Sequence, residues 1–339
     1  MNDLIVTTKF KEAFPTTIEG LKRAWRIFKK INSFEDIERE FLLGRGLSPN
    51  TYRNYLGAVK RFYEFTDHMH PLQVKPADIE RFYDHRIKEV DRNTAYLDIR
   101  GLKKFFAGIK EVIPIYTSPF DTMSKKLNRK LNRTKKGNRT RKALSKSEVK
   151  NILSWLASDK TIMGIENYAI VFMLLTSGLR ANELCQLRWK DIEYYEGRWV
   201  ANFVGKGGKE AEQELYEPAI EACIEYFKKA FSRDPRPEDH LFWTLPSYPG
   251  DRPRPLPYAT LWHRIKNIGK KAKELGIIKR DITFSPHLFR RTYATMLYKS
   301  GMGLKAIQSK TRHASIETLT KHYIHDEDPA SPYLEKVLV

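Results

Sequence analysis

The residues best suited to chemistry are a small set of cations, histidines and one tyrosine. In chain order they are Arg180 with Glu183, Lys206, His287 with Arg290, His313, and Tyr323. A guanidinium offers paired donors to the non-bridging oxygens of a phosphodiester and stabilises charge that grows on phosphorus. A tyrosine hydroxyl can attack phosphorus in a cationic setting, and a lysine or histidine can protonate the leaving alkoxide. This set is sufficient for metal-free phosphodiester cleavage through a phosphotyrosine.

The spacing of these residues supports that chemistry. Residues three apart share a helix face, so Arg180 should pair with Glu183, and His287 and Arg290 should point at the same object. Lys206 lies in GKGGK, between RWVANFV and EAEQELYE, and this pattern predicts a hairpin. Taken singly, each feature also has an ordinary interpretation as a helical ion pair, a solubilising turn residue or a core tyrosine.

Other kinds of site are not favoured. His313, His322 and His325 are not accompanied by clustered carboxylates, so we expect no metal site. The stretch FVGKGGKEAE leads into a strand and lacks the Lys-Ser/Thr ending of a nucleotide-binding loop, and no cofactor is expected. Cys185 and Cys223 fall in apolar helical patterns, which predicts core packing instead of a disulfide.

Helices must position most of these residues. Capped, periodic segments predict an all-α domain over 33–118, preceded by an extension over 1–32 whose basic amphipathic stretch is either an extra helix or an arm. A second domain over 143–339 starts with a capping box at Ser145 and Glu148. Its mostly helical pattern changes to a period of two only around the hairpin. The predicted fold is mainly α, with a small antiparallel sheet in a mixed α+β second domain.

The chain is strongly basic. Among 339 residues, 61 Lys and Arg stand against 41 Asp and Glu, a formal net charge of +20. Such an excess favours a polyanionic partner, most simply double-stranded DNA, because neutralising phosphates releases counterions. The alternative is a merely basic or ribosome-associated protein. No apolar run approaches the length of a membrane span, so a cytoplasmic, nucleoid-associated protein with no membrane partner is expected.

The densest positive charge lies in residues 119–142, which contain ten Lys or Arg and one Asp. This segment predicts a linker between the two domains. It either remains solvated or lies against a phosphate backbone, and we favour the second because unpaired like charges would repel one another. The candidate DNA-binding residues are Lys125, Lys126, Arg129, Lys130, Arg133, Lys135, Lys136, Arg139, Arg141 and Lys142.

Four stretches, in order, resemble the tyrosine recombinases, the family of phage-type integrases and Xer-like recombinases. TSGLRANELCQLRWKDI resembles the first family box, and VGKGGK resembles the hairpin that carries the family's lysine. PHLFRRTYATML resembles the His-x-x-Arg box, and RHASIETLTKHYIH resembles the stretch in which a histidine precedes the nucleophilic tyrosine. The resemblance covers the chain from about residue 145 to residue 326. The helical domain before them is similar to the family's SAM-like core-binding domain.

The resemblance implies a role for each candidate residue. Tyr323 would attack the scissile phosphate to form a 3′-phosphotyrosyl link, and Arg180 and Arg290 would grip that phosphate. Lys206 would protonate the leaving 5′-oxygen, and His287 would serve in general acid–base work. His313 would hydrogen-bond the phosphate, and Glu183 would support Arg180. Lys209 and Arg291 are alternatives to Lys206 and Arg290.

The resemblance also implies an activity. It predicts site-specific recombination by a tetramer on two duplexes, through a Holliday junction, in integration, excision or dimer resolution. Two alternatives stay open: a type IB-like topoisomerase and a DNA-binding protein with a degenerate site. The apolar end of the chain, residues 331–339, either packs on its own domain or docks on a neighbouring protomer.

Two features depart from the family pattern. Arg312 stands before His313 where the family usually has glycine, so the loop there is expected to differ. In GKGGKEAEQEL the basic residue that often follows the turn is absent, which weakens the resemblance at the hairpin.

Overall fold

The computed structural model describes residues 47–69, 71–112, 116–132, 143–205, 208–245, 252–313 and 315–323. The chain divides into two compact units, Met1–Asn138 and Arg139–Val339. The expected mainly helical fold with a small antiparallel sheet is confirmed. The predicted N-terminal extension and the C-terminal segment 331–339 lie outside the described residues. Within those residues no helix is long and apolar enough to cross a membrane.

The described part of the first unit is helical, as its capped periodic segments predict. Its helices are α1 Pro49–Phe65, α2 Pro76–Glu89, α3 Arg92–Val112 and α4 Lys125–Leu131, with a 3₁₀ turn at Pro71–Gln73. Helix α1 begins as predicted, with the Ser48 hydroxyl accepting from the backbone of Thr51 and proline in the first turn. Phe62 of α1 packs edge-on against Phe82 of α2, with ring centroids 5.2 Å apart.

A buried carboxylate joins the first three helices. Asp98 of α3 is 4% exposed and accepts hydrogen bonds from Arg61 of α1, at 2.5 Å, and from Arg86 of α2, at 2.8 Å. Two cationic donors from two helices satisfy the charge that burial would otherwise penalise. This network holds the helices in one arrangement.

The predicted linker is wrong over its first half. Residues 125–131 form α4, whose Leu127 and Leu131 are buried in the core of the first unit together with Phe82 and Phe106. The sequence contains this signal, because the two leucines are four positions apart and Ser124 caps the helix. The high charge of the segment concealed it. Residues 133–142 lie outside the described part of the chain.

The second unit contains eight helices in its described part and two small sheets. The helices are α5 Lys146–Ser158, α6 Ile162–Ser177, α7 Ala181–Gln186, α8 Glu217–Phe231, α9 Tyr258–Glu274, α10 Pro286–Lys299, α11 Leu304–Thr311 and α12 Ile316–Tyr323, with a 3₁₀ turn at Trp189–Asp191. Helix α5 has the predicted capping box between Ser145 and Glu148. Helix α6 buries ten of its residues at the centre of the unit, in accord with its almost wholly apolar sequence.

The main sheet is an antiparallel meander of β1 Ile192–Tyr195, β2 Arg198–Val204 and β3 Glu210–Leu215. The hairpin of β2 and β3 confirms the predicted strand–turn–strand pattern, with Phe203 opposite Ala211. Strand β1 was not anticipated, nor was the pairing of β4 Trp243–Thr244 with β5 Arg254–Pro255 across the proline-rich loop.

Both cysteines pack in the core of the second unit, as expected. Cys185 and Cys223 are buried and carry free thiols. Burial disfavours the thiolate and raises the pKa of Cys185 to about 12. These side chains therefore serve as small apolar core residues.

Candidate active site

The first box forms a tight turn between two helices. Helix α6 ends at Gly178, whose φ of 63° lies in the left-handed region, and a Cβ added there would overlap the ring of Tyr293. Glycine is therefore required at this position for its conformation and for its small volume. The turn makes Arg180 the residue that caps helix α7.

Arg180 and Glu183 form the predicted pair. Oε1 of Glu183 accepts from Nη1 of Arg180 at 2.7 Å, and Oε2 accepts from the Arg180 backbone N–H at 2.8 Å. Burial by itself raises the pKa of the Glu183 carboxyl, but the backbone hydrogen bond and the charges of Arg312 and Arg180 outweigh it. The net effect holds the pKa below its usual range, and the carboxylate stays ionised and fixes its arginine.

The second box is helix α10, and it separates its two candidate residues. His287 is exposed, whereas Arg290 is only 1% exposed. The guanidinium of Arg290 donates to the carbonyl of Gly178 at 2.5 Å and to the carbonyl of Thr311. Residues three apart on a helix differ by about 60° in direction, so His287 and Arg290 fall on either side of the boundary of the buried face. The two side chains therefore differ in burial, and the expectation that both point at the same object stays a prediction.

The third stretch follows the end of helix α11. The backbone of Arg312 is left-handed, with φ 51°, and it turns the chain so that the His313 N–H donates to the Gln308 carbonyl at 3.2 Å. Nδ1 of the half-buried His313 ring lies 2.6 Å from Oγ1 of Thr311. The histidine is thus oriented by the helix that precedes it.

The two arginines of the separate boxes meet at this loop. Arg290 donates to the carbonyl of Thr311, and Nη2 of Arg180 donates to the carbonyl of Arg312 at 3.0 Å. Because the two carbonyls belong to consecutive residues, both guanidinium groups lie next to the backbone that leads into His313. The structure therefore brings Arg180, Arg290 and His313 together.

Two candidate side chains lie outside the described residues. Lys206 falls between Gly205 and Gly208, the last described residues on either side of the hairpin turn. Tyr323 is the last residue of helix α12, and only its backbone is described. Helix α12 itself is fixed by Leu319, which is buried with Ala294 of α10 and Ile307 of α11. Of the two alternatives to the candidate residues, Lys209 is exposed and Arg291 is buried.

The candidate DNA-binding cations of α4 are in two different situations. Lys125, Lys126 and Arg129 are exposed. Lys130 instead donates to Glu80 and Asp84 of helix α2, at 2.8 Å in each case. The other six residues of the predicted set lie outside the described part of the chain.

Two contributions to the site were not anticipated. One is the pair of backbone carbonyls that hold Arg290, which no sequence pattern indicates. The other is the side chain of Arg312, which is only 15% exposed and donates to Glu183 at 2.6 Å. The sequence did signal that this position is unusual, because Arg312 stands where the family usually has glycine. From that difference we expected only a change in the shape of the loop, and not a contact with Glu183.

A sequence profile described as the phage integrase family matches residues 142–329, which is more than half of the chain. The chain belongs to the phage integrase family. A profile of the phage integrase N-terminal SAM-like domain matches residues 35–112 of this integrase. The predicted family, the tyrosine recombinases, and the predicted enzyme class are thereby confirmed.

Relatives of this integrase include Xer recombinases. The chain is 27% identical over 296 residues to the tyrosine recombinase XerD of Listeria monocytogenes serotype 4b, which covers 86% of the chain and 93% of the relative. It is 25% identical over 302 residues to XerC of Syntrophus aciditrophicus, covering 85% and 91%. A match of 29% identity over 177 residues to XerA of Pyrococcus furiosus covers 52% of the chain and 55% of that relative.

Solved structures of tyrosine recombinases share the fold. The XerH site-specific recombinase bound to its palindromic difH substrate has a TM-score of 0.65 at 19% identity, covering 95% of this chain and 89% of that one. A lambda integrase dimer bound to a COC' core site has a TM-score of 0.56 at 18% identity, covering 87% and 95%.

Proposed function

We propose that this integrase cuts and rejoins DNA at specific sites through a 3′-phosphotyrosyl intermediate on Tyr323. The observation that carries the proposal is the meeting of Arg180 and Arg290 at the loop before His313. Backbone carbonyls are neutral acceptors, so these two contacts orient the guanidinium groups without compensating their charge, while Arg180 also pairs with the carboxylate of Glu183. Oriented donors of this kind match the oxygens of a phosphodiester.

The reaction balances with residues of this chain. The Tyr323 oxygen forms a bond to phosphorus, the bond from phosphorus to the 5′-oxygen breaks, and the tyrosine proton passes to His287 as the base. Arg180 and Arg290 stabilise the charge on the five-coordinate phosphorus, with His313 adding a hydrogen bond. Lys206 protonates the departing 5′-oxygen, and His287 serves in proton transfer. Attack by a 5′-hydroxyl on the phosphotyrosine reverses these steps and rejoins DNA without a metal.

Recombination requires that the rejoining hydroxyl come from a different duplex. We propose that four protomers hold two duplexes and exchange one pair of strands at a time, with a Holliday junction between the two exchanges. Integration, excision and dimer resolution share this chemistry. The enzyme would act on DNA at the nucleoid, in the cytoplasm.

The proposed domain organisation assigns DNA binding to both units. In this proposal the core-binding domain runs from residue 33 through helix α4, residues 143–339 form the catalytic domain, and the N-terminal extension lies before residue 33. Exposed cations of α4, with the basic residues that follow it, would contact phosphates. This electrostatic component supplies affinity, whereas the target sequence must be recognised through base edges or DNA shape.

The test uses a nicked suicide substrate. After cleavage the short fragment that carries the 5′-hydroxyl dissociates, so rejoining is blocked and the covalent complex accumulates. Fragments of the source replicon are screened for a substrate, and products are resolved on a denaturing gel. Wild type should give a covalent protein–DNA band that Tyr323→Phe abolishes, while Tyr258→Phe, a change at an exposed tyrosine of helix α9, should leave it intact. A band that persists in Tyr323→Phe would move the nucleophile, with Tyr333 the next candidate. DNA binding without any covalent band would instead favour a degenerate site.

A further inference from the structure

The residue before His313 occupies a backbone conformation that favours glycine, yet it is an arginine. Arg312 has φ 51° and ψ 46° at the end of helix α11. A side chain at such a position carries a conformational cost that glycine avoids. A residue that keeps unfavourable backbone geometry beside a functional site is a candidate for a functional role of its side chain.

The Arg312 guanidinium contacts three elements of the second unit. Nη2 donates to Oε2 of Glu183 on helix α7 at 2.6 Å, and Nη1 donates to Oε1 of Gln213 on strand β3. Its central carbon lies 4.9 Å from the centroid of the Phe203 ring on strand β2. One side chain therefore joins both strands of the hairpin to the carboxylate that holds Arg180.

The contacts on the hairpin lie close to its turn. Phe203 is paired with Ala211, and the Gly205 N–H donates to the Lys209 carbonyl at 2.7 Å. Lys206 follows Gly205 directly in the chain. A second contact runs from the same helix, α11, to the same strand, between Lys310 and Glu214. That pair is more exposed than the Arg312 contacts, so solvent weakens it.

We propose that Arg312 is a positioning residue that fixes the strands of the β2–β3 hairpin, between which Lys206 lies in the sequence, relative to the Arg180–Glu183 pair. The inference rests on the proposed function, since it takes Lys206 as the acid for the leaving oxygen. Arg312 is not assigned to the phosphate itself, because a carboxylate, an amide and an aromatic ring already engage its guanidinium.

The test compares two forms of the suicide substrate, with oxygen or sulfur at the 5′-bridging position of the scissile phosphate. A thiolate leaves without a proton, so the sulfur substrate needs no general acid. Arg312→Gly removes the guanidinium while giving the backbone the residue it favours. It should slow single-turnover cleavage of the oxygen substrate by about 10- to 100-fold, the effect of losing hydrogen bonds from a charged group. Cleavage of the sulfur substrate should return to within a few-fold of wild type.

Three further variants sharpen the comparison. Lys206→Ala should show the same rescue by sulfur, since it removes the acid itself. Gln213→Leu breaks the hairpin contact but keeps the Arg312–Glu183 pair, and it should reproduce the defect with little added loss in the double variant. Arg233→Gln is the matched control. Arg233 also pairs with a carboxylate, Asp239, and lies 5.0 Å from the ring centroid of Phe227, so its loss should leave cleavage of both substrates unchanged.

The outcomes separate the proposed function from the positioning role of Arg312. Wild-type cleavage of the oxygen substrate tests the proposed function separately, and its absence would overturn that function whatever the variants do. If wild type cleaves, an Arg312→Gly enzyme equally slow on both substrates overturns the positioning role, because the defect then lies with the arginines or the nucleophile. Unchanged cleavage of the oxygen substrate overturns it as well. If Arg312→Gly does not unfold cooperatively, Gln213→Leu decides by the same two criteria.

Discussion

The guanidinium of Arg290 donates a hydrogen bond of 2.5 Å to the carbonyl of Gly178, 112 positions earlier in the chain. Gly178 ends helix α6 and sets the turn from which Arg180 extends. The same guanidinium reaches Thr311, two residues before His313. One buried side chain therefore fixes the relative positions of three boxes that are far apart in the sequence, and its loss should affect stability as well as catalysis.

Replacing Arg290 by leucine should lower the free energy of unfolding by about 2–4 kcal/mol, since it leaves two buried carbonyls without their donor. Arg233→Leu is the control, because that arginine is partly exposed and its ion pair should contribute less than about 1 kcal/mol. Denaturant unfolding of both variants measures the difference. Equal losses would show that the carbonyl contacts of Arg290 do not stabilise the fold.

Gly178→Ala should be more destabilising than Gly276→Ala. Both glycines have positive φ, 63° and 69°, so each substitution carries a backbone cost of about 1–2 kcal/mol. Only at Gly178 would the new methyl group overlap a ring, that of Tyr293, whereas the space at Gly276 is open. Overpacking adds about 1–3 kcal/mol. Similar unfolding midpoints for the two variants would contradict this packing account.

The stabilising contribution of Glu183 should depend on pH. Its pKa in the folded protein lies below the ordinary value of 4.5, so the folded state binds fewer protons than the unfolded state near that pH. The contribution is therefore fully present above pH 4.5 and is lost as the pH falls through the folded pKa. Unfolding measured from pH 6 down to about pH 3 should show a steeper decline in wild type than in Glu183→Gln. Parallel profiles would mean that this carboxylate is not stabilised by folding.

DNA binding should weaken steeply with salt, and the exposed cations of α4 should contribute to the slope. Combined replacement of Lys125, Lys126 and Arg129 by glutamine should make the slope of log K against log salt shallower, by about 0.9 for each phosphate that the variant no longer neutralises. Lys130→Gln should leave the slope nearly unchanged, because Lys130 is engaged by Glu80 and Asp84. Binding titrations at several salt concentrations separate the two cases. A slope that does not respond to the triple replacement would place the phosphate-binding cations elsewhere.

Features set by neighbours in the chain could be predicted from the sequence. The capping box of Ser145 and Glu148, the helix end at Gly178 and the pair of Arg180 with Glu183 each involve residues no more than four apart. The hairpin of β2 and β3 also belongs here, because its strands adjoin one turn. Such contacts depend on local backbone geometry, which residue type and spacing largely specify.

The sequence was less informative for helix α4, because its many charged residues concealed a buried apolar face. Helix α4 is rich in lysine and arginine, and the segment that contains it resembles a solvated linker by composition. Leu127 and Leu131 nevertheless bury against the first unit. Two apolar residues on one face suffice for a short helix when a preformed core accepts them, and composition alone does not reveal that core.

By itself, then, the sequence determined the helical character of both units outside α4, several helix caps, the β2–β3 hairpin and the order of the four boxes. Tertiary structure alone decided the partners of Arg290 and Arg312. Arg290 reaches Gly178 across 112 positions, and Arg312 reaches Glu183 across 129 and Gln213 across 99. It also decided that His287 is exposed while Arg290 is buried. Helical spacing predicts which side chains share a direction, but burial and long-range hydrogen bonds depend on which elements pack together, and that follows from the whole core.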